Sequence, residues 1–559
     1  MTLFLAALVF APLAFGSVEP WALALLQLTV FITAARLYVK GLAVYPNALY
    51  KTLLPAVLAI VLIGLLQAAH ESPVNGPASL FFTAWRPATL KAVLLWLFYA
   101  AILFSVPQLI TTPERFTRLI WTIFAMGVAI TLLGMFQKTG DNTMVYGLIK
   151  VPGDAFGPFI NRDHGAYYLI MAAMAGLGIF FSGWRDLAAH KSHTRLFDLL
   201  AIQLLKLVMI AALVYGIYHT GSRGGIHSFA ATAAVLGFIS AGFLHTRKLR
   251  LAAVLGLTLL AVGYGAFISR NEIMLGLKEG KLVSSVTIRL SMYKSGMEMM
   301  KDFPYLGTGL GALEYAFPPY KRPDVPALAI VQHVHSDWLE LFLQTGCAGG
   351  LIYIAGLAAA LFGFFRTWRH CRSFRIKALY GGALGAVLGA TAPNLVEFGL
   401  QRPANSLLYY TLLGALASAP PVWVRRRSPD EDPPEPAPVK KGAAFAATAL
   451  ATLLCLCTLP PVIGWWYNQR AEDAPYQEKV KRQAAALFWN PSPEYAFRLG
   501  MAHYTEALAN PASTHELLLT AQATIAPWLK RAPTNYNLLR LNKVLEYFTI
   551  HPLPLPKPK

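Results

Sequence analysis

Apolar residues in this chain come in long unbroken blocks, and that feature restricts the fold more than any motif does. Blocks of roughly 17–25 apolar residues, the length a bilayer core asks of a helix, recur from the N-terminus to about residue 466. A soluble core would show shorter alternations. With 56% hydrophobic and only 14% charged residues, the chain reads as all-α: a polytopic integral membrane protein.

The blocks predict about thirteen spans, within a range of about 12–14, centred near residues 10, 29, 60, 100, 126, 173, 208, 235, 259, 357, 384, 414 and 454. The segment from Thr2 to about Phe15 lacks a basic stretch before it and is followed at once by a second apolar run from Trp21, so it reads as a first span rather than a cleaved signal. Loops then alternate between two sides. Arg36, Lys40 and Lys51, Arg115 and Arg118, Arg185 to Arg195, Arg247 to Arg250, Arg366 to Lys377 and Arg425 to Lys441 share one side, which the positive-inside bias makes cytoplasmic. The N-terminus is expected inside and, after an odd number of spans, the C-terminus outside.

A net charge of +20 would indicate nucleic acid in a soluble protein. Here the basic residues sit in short loops between spans, where they set topology, so no nucleic-acid partner is expected. Cys347, Cys371, Cys455 and Cys457 lie in or beside apolar segments without metal-type spacing, so neither zinc nor a disulfide framework is indicated. No metal or other cofactor is expected.

Domain boundaries follow from composition. Residues 1–425 form the membrane-embedded domain, interrupted between the ninth and tenth spans by a long outer loop, 269–335, too long to be a connector. Residues 426–441 contain the acidic, proline-rich stretch SPDEDPPEPAP and read as a disordered cytoplasmic linker. Residues 442–466 supply one more span, and 467–559 a small helical tail on the outer side. Its Asn490-Pro491 and Ala532-Pro533 breaks, about forty residues apart, give it a resemblance to tetratricopeptide repeats; a small helical cap accounts for the same pattern.

Four motifs fall on the outer side. In HVHSDWLELFLQTG, His333 and His335 meet Asp337 at the mouth of an apolar helix, and a histidine that exchanges protons near neutral pH suits a general base acting on a sugar hydroxyl. His335 is the candidate base, against the alternative of a helix-capping histidine. GSRGG puts Arg223 at an outer span junction, against the charge trend, where it either faces a cavity and an anion or snorkels. In the long loop Arg289 precedes Pro304 and the glycine-rich GTGLG; an arginine fork matches phosphate oxygens, so Arg223 and Arg289 together fit a pyrophosphate. GTGLG itself lacks the strand–turn–helix setting of a nucleotide loop and reads as a tight turn. In GPFINRDHGAYYL, Asn161, Arg162 and His164 either line the same cavity or cap the helix. Arg402 in QRPAN either lines the cavity or anchors a span.

Taken in order, the entry at Asn161 to His164, the SRGG arginine, the Arg289 loop ending in PYLGTGLG and the histidine-led HSDWLELFLQTG resemble the O-antigen ligase and O-antigen polymerase superfamily of bacterial membrane glycosyltransferases. The resemblance covers roughly residues 1–425. It implies an undecaprenyl-pyrophosphate-linked glycan as donor, held by Arg223 and Arg289, with His335 deprotonating a glycan or lipid A-core acceptor and inversion at the anomeric carbon. It further implies a metal-independent enzyme of the bacterial inner membrane with a periplasmic active site, serving lipopolysaccharide, O-antigen or exopolysaccharide synthesis. The chain departs from the family pattern at Ser336, where asparagine is frequent, and in its extra span and tail. The tail offers a docking surface for other polysaccharide-assembly proteins. Protein O-oligosaccharyltransferase activity is an alternative within the superfamily, and a polysaccharide or lipid transporter is one outside it, though transporters tend to carry charges near the midplane rather than at one face.

Overall fold

The structure is a computed structural model. It describes residues 1–41, 48–72, 81–140, 143–151, 154–184, 193–241, 281–325, 330–418, 439–510, 513–532 and 535–550. Its regular structure there is helical apart from one short ribbon, Met144–Val145 paired antiparallel with Ile149–Lys150. The membrane region contributes α1 (Thr2–Leu13), α2 (Pro20–Val39), α3 (Leu53–Ala69), α4 (Arg86–Leu109), α5 (Pro113–Lys138), α6 (Arg162–Ser182), α7 (His193–His219) and α8 (Arg223–Ala241). After α9 (Lys281–Asp302) come α10 (Asp337–His370), α11 (Phe374–Thr391), α12 (Pro403–Ser418), α13 (Lys441–Cys457) and α14 (Leu459–Ala471). The tail is α15 (Tyr476–Trp489), α16 (Pro493–Ala509), α17 (Thr514–Arg531) and α18 (Tyr536–Ile550).

Among the described residues, eight helices are long and apolar enough to cross a membrane. They carry the expected centres near 29, 60, 100, 126, 173, 208, 357 and 454, while those near 10, 235, 384 and 414 fall on α1, α8, α11 and α12. The centre near 259, the start of the long loop and most of the acidic linker lie outside the described residues. The chain is an all-α, multi-pass membrane protein.

Helix α6 is the most buried of these eight, with 78% of its most apolar stretch buried against 11% for the last span, Lys441–Ala471. Small residues allow this. A Cβ on Gly382 of α11 would come within 2.6 Å of the Gly178 Cα in α6, so the two backbones touch. Such close approach through glycine is what holds helices together where lipid supplies no hydrophobic drive.

Helix α10 is in fact two helices. Gly346 takes φ 65°, ψ −172° and breaks it. The break leaves unpaired carbonyls before it and unpaired amides after it, and the long loop supplies partners for both. Thr308 N donates to Leu343 O (3.1 Å) and Gly309 N to Gln344 O (3.2 Å), while Cys347 N and Ala348 N donate to Pro304 O (2.8 Å) and Tyr305 O (3.1 Å). Gln67 of α3 adds its carboxamide, donating to Leu306 O and Gln344 O and accepting from Leu310 N. The PYLGTGLG turn is therefore a backbone stitch through a broken helix. Its glycines are required: all three have positive φ, and a Cβ on Gly307 would meet the Gln344 carbonyl carbon at 2.5 Å.

The long loop also has an apolar core of its own, built from Trp85, Met292, Met299, Leu313, Phe317 and Val334 among others. The tail packs its helices in sequence around Leu518, Ile525, Leu538 and Leu541. Trp528 of α17 packs against both cores and sits 5.7 Å from Trp85, ring centre to ring centre, which docks the tail on the loop.

Candidate functional site

Helix α10 begins at Asp337 because Ser336 caps it, its Oγ accepting from Leu339 N at 3.2 Å. The preceding residue, His335, has φ 54°, a left-handed conformation that costs a side-chain-bearing residue about 1–2 kcal/mol. Tyr293 of α9 holds it there, its hydroxyl donating to His335 O at 2.9 Å. Strain of this kind persists only where the surroundings enforce it, and it concentrates at functional sites.

The cluster around His335 is organised by two residues that follow one another, Glu397 and Phe398. Glu397 accepts from Arg289 Nη2 at 2.8 Å, and its second oxygen lies 3.8 Å from His335 Nδ1. Arg289 Nη1 also donates to Val396 O at 3.2 Å. Asp337 N donates to the Glu397 carbonyl at 3.1 Å, so the α10 start is fixed to the same segment. The N-terminus of α8, headed by Arg223, comes to the same carboxylate: a Cβ on Gly224 would stand 3.6 Å from Glu397 Oε1. A guanidinium and a helix N-terminus thus converge on one anion, as they would on a phosphate.

Phe398 is the hub for the remaining side chains. His333 stacks on its ring (4.6 Å, 20°), His335 and His164 meet it edge-on (5.0 and 5.2 Å, both 81°), and Arg402 Cζ lies 5.3 Å from its centre. An aromatic ring among them favours positive charge on its faces. His333 is further oriented by the buried Glu340, Nδ1 lying 3.1 and 3.2 Å from the carboxylate oxygens, and Gln344 donates to Glu340 at 2.8 Å. Burial lowers the Arg402 pKa, but a guanidinium starts high enough to stay charged.

Several buried polar atoms here have no hydrogen-bond partner among the described residues: His335 Nδ1, Asp337 Oδ1, Arg402 Nε and Asn405 Oδ1. Each such atom costs about 1–3 kcal/mol when left unmade. Their concentration in one neighbourhood marks a place shaped for a polar ligand.

Of the residues singled out from sequence, His335, His333, Asp337, Arg289, His164 and Arg402 come together, and Arg223 begins its helix beside them. Asn161 and Arg162 do not join them. Asn161 Oδ1 caps α6, accepting from Asp163 N at 2.8 Å, and Arg162 pairs with Asp154 at 2.6 Å on the surface. The sequence reading missed Glu397, Phe398, Glu340 and Tyr293. Glu397 carried a usable signal, an ionisable residue within the apolar stretch that leads to Arg402.

Residues 207–354 match the family model described as O-antigen ligase, a segment that contains Arg223, Arg289, His333, His335 and Asp337 and stops short of Glu397, Phe398 and Arg402. No curated protein matches the chain. Over that segment the chain is similar to the O-antigen ligase family.

Proposed function

We propose that the protein transfers a glycan from an undecaprenyl-pyrophosphate carrier to a hydroxyl-bearing acceptor at the periplasmic face of the bacterial inner membrane. The observation that carries this reading is the meeting of Arg289, the Arg223 helix start and His335 on the single carboxylate of Glu397. Glu397 stands where the donor phosphates go. When the pyrophosphate takes over Arg289 and the α8 N-terminus, Glu397 loses its cation and turns to His335, whose Nδ1 has no hydrogen bond at present.

His335 then removes the proton of the acceptor hydroxyl, and the oxygen attacks the anomeric carbon. The bond from that carbon to the pyrophosphate oxygen breaks, and its electron pair leaves on the lipid pyrophosphate. Two arginines stabilise the growing negative charge in a partly dry site, so the step needs no metal ion. Direct displacement inverts the anomeric centre. Glu397 offsets the charge that His335 gains, and the faces of Phe398 add to that. The periplasmic orientation rests on the loop charges: α10 runs from this site to the basic turn His370 to Lys377, so site and basic loops occupy opposite ends of one helix.

The test is transfer from lipid-linked glycan by the purified protein in nanodiscs, comparing wild type with Arg223→Ala, Arg289→Ala and His335→Ala at matched folded levels. Loss of most product in all three, without added metal, supports the mechanism. Wild-type turnover in all three refutes it.

A further inference from the structure

A cleft enters the helix bundle next to the ionic cluster, with about 680 Å³ of empty space when the open solvent at its mouth is included. It shares Asp337 with the site, but Arg289, His335 and Glu397 do not line it. Its walls are aromatic: Trp96 and Tyr99 from α4, Trp338 and Tyr353 from α10, Tyr409 and Tyr410 from α12. Trp96 and Tyr353 meet at 88°, their ring centres 5.4 Å apart, so the walls present ring faces in perpendicular planes. Asp337, Gln344, Asn394 and Gln401 complete the lining; the Gln344 carboxamide is engaged by Glu340 and Gly311 N, and Asn394 Oδ1 accepts from the Tyr167 hydroxyl.

Asp337 is the feature that selects an occupant. Its Oδ2 is locked by Leu400 N at 3.0 Å, whereas Oδ1 is buried and has no hydrogen-bond partner among the described residues. A carboxylate oxygen in that state needs a donor. A pyranose offers both halves of what the cleft presents, apolar C–H faces for aromatic rings and a rim of hydroxyls for the Asp337 carboxyl oxygen. An isoprenoid chain has no donor, and would leave Oδ1 dry and unpaired. Asp337 is two residues from His335, so their Cα atoms lie within about 7 Å, close enough for a ring seated at Asp337 to present a neighbouring hydroxyl to His335.

We propose that this cleft is the acceptor subsite, and that it holds a pyranose ring between its aromatic walls with one hydroxyl donating to Asp337 Oδ1. The acceptor is then a glycan rather than a serine or threonine of a protein. The assignment of the ring as acceptor rests on the transferase reading; the affinity of the cleft for a pyranose does not.

Two measurements on the full-length protein in nanodiscs separate those statements. In the first, saturation-transfer NMR is recorded with free glucose, galactose, mannose and N-acetylglucosamine for wild type, Asp337→Asn and Trp96→Phe. Asp337→Asn preserves an oxygen for Leu400 N and presents an amide donor where the free acceptor was; Trp96→Phe keeps the packing and reduces the ring face. The expected result is binding of at least one pyranose to wild type and affinity lower by about ten- to a hundredfold in Asp337→Asn, the loss of a hydrogen bond at a buried carboxyl oxygen. In the second, the acceptor KM of Asp337→Asn rises by a similar factor while the donor KM stays at the wild-type value. Arg289→Ala abolishes transfer yet keeps pyranose binding.

No pyranose binding by wild type, unchanged binding in Asp337→Asn, or displacement of the sugar from the cleft by sugar-free polyprenyl phosphate overturns the proposal. If Asp337-dependent binding persists while Arg289→Ala and His335→Ala keep full transfer, the sugar cleft stands and the transferase site fails. If Arg289→Ala and His335→Ala lose transfer while Asp337→Asn keeps its acceptor KM, the transferase site stands and the acceptor subsite fails.

Discussion

Replacing Gly346 by alanine strikes the break in α10 at its tightest point. The backbone there, φ 65° and ψ −172°, belongs to a region that only glycine occupies freely, and holding alanine in it costs about 1–3 kcal/mol. The new Cβ would also run into the carbonyl of Tyr305 and the nitrogen of Leu306. Those are backbone atoms of the stitch, so they cannot swing aside as a side chain would, and overpacking of this kind costs about 1–3 kcal/mol more. If the turn retreats to make room, the four bonds linking 304–309 to the break lengthen, at about 0.5–1.5 kcal/mol each. A loss of about 2–6 kcal/mol corresponds to a fall of roughly 4–24 °C in apparent unfolding temperature, taking about 2–4 °C per kcal/mol. Unfolding followed by size-exclusion fluorescence in detergent measures it, with Gly442→Ala as the control, since a Cβ at Gly442 meets nothing within 4 Å. Hydrogen exchange adds a local readout, because the amides of Thr308, Gly309, Cys347 and Ala348 should lose protection together. Matching unfolding temperatures for the two variants, with those amides still protected, would show that the loop does not hold the break.

Other outcomes follow from the same geometry. Glu397→Gln lowers kcat about ten- to a hundredfold and leaves the donor KM nearly unchanged, because in the proposed mechanism the pyrophosphate displaces that side chain; single-turnover kinetics separate the two, and a change confined to donor KM would reject the role. His335→Ala is expected to cost far more transfer than His333→Ala, whose ring is tied to Glu340 and stacked on Phe398; the reverse order would move the base to His333. Glu314, half-buried beside the tail, has its pKa raised above the ordinary carboxylate value, chiefly by burial. The folded form therefore holds its proton more tightly than the unfolded one, and stability falls as pH rises from about 4.5 through the raised value. Glu314→Gln should accordingly stabilise at pH 7 and do nothing near pH 4, and a pH-independent effect would remove Glu314 from that account. Trp528→Ala should free the tail from the loop core, seen as faster proteolysis between the last span and α15, with transfer by the membrane domain as the companion measurement.

Much of this architecture was legible because its determinants are local. Apolar blocks of spanning length announce helices whatever surrounds them, and the histidines at 333 and 335 stand out because ionisable side chains at the mouth of an apolar helix need a reason to be there. Glu397 and Phe398 were not legible as the centre of the cluster. They lie some sixty residues beyond His335, and only the packing of α11 and of the short turns after it against α10 brings them under it. Asn161 illustrates the opposite case: its neighbours looked like a site, but its oxygen is consumed by the α6 cap. Gly346 was invisible for a third reason. It lies between apolar runs that both read as helix, and a single glycine there is usually tolerated; nothing in LFLQTGCAGG reveals that a turn forty residues earlier will fill the gap.

That turn explains why the loop and the histidines behave as one unit. Arg289 rides on α9, whose Gly296 lets α10 approach so closely that a Cβ would sit 3.1 Å from Leu343 and 3.3 Å from Leu339. The chain leaves α9 at Asp302 and enters the stitch at Pro304, two residues later. Between α9 and the break lies the first half of α10, Asp337 to Thr345, with Asp337, Glu340 and Gln344 on it and His335 just before its cap. Breaking the helix at Gly346 frees this half from the angle of the second half. Threading the loop through the break then sets that angle again, in register with the helix that carries Arg289. The spacing between the helix that carries Arg289 and the candidate base is thus fixed by backbone hydrogen bonds rather than by flexible side chains. Precision of that kind is what transfer between two bound substrates requires, since misplacement by about 1 Å can cost about a hundredfold in rate. The glycines of PYLGTGLG, which contact neither arginine nor histidine, are on this account as necessary to the reaction as the residues they position.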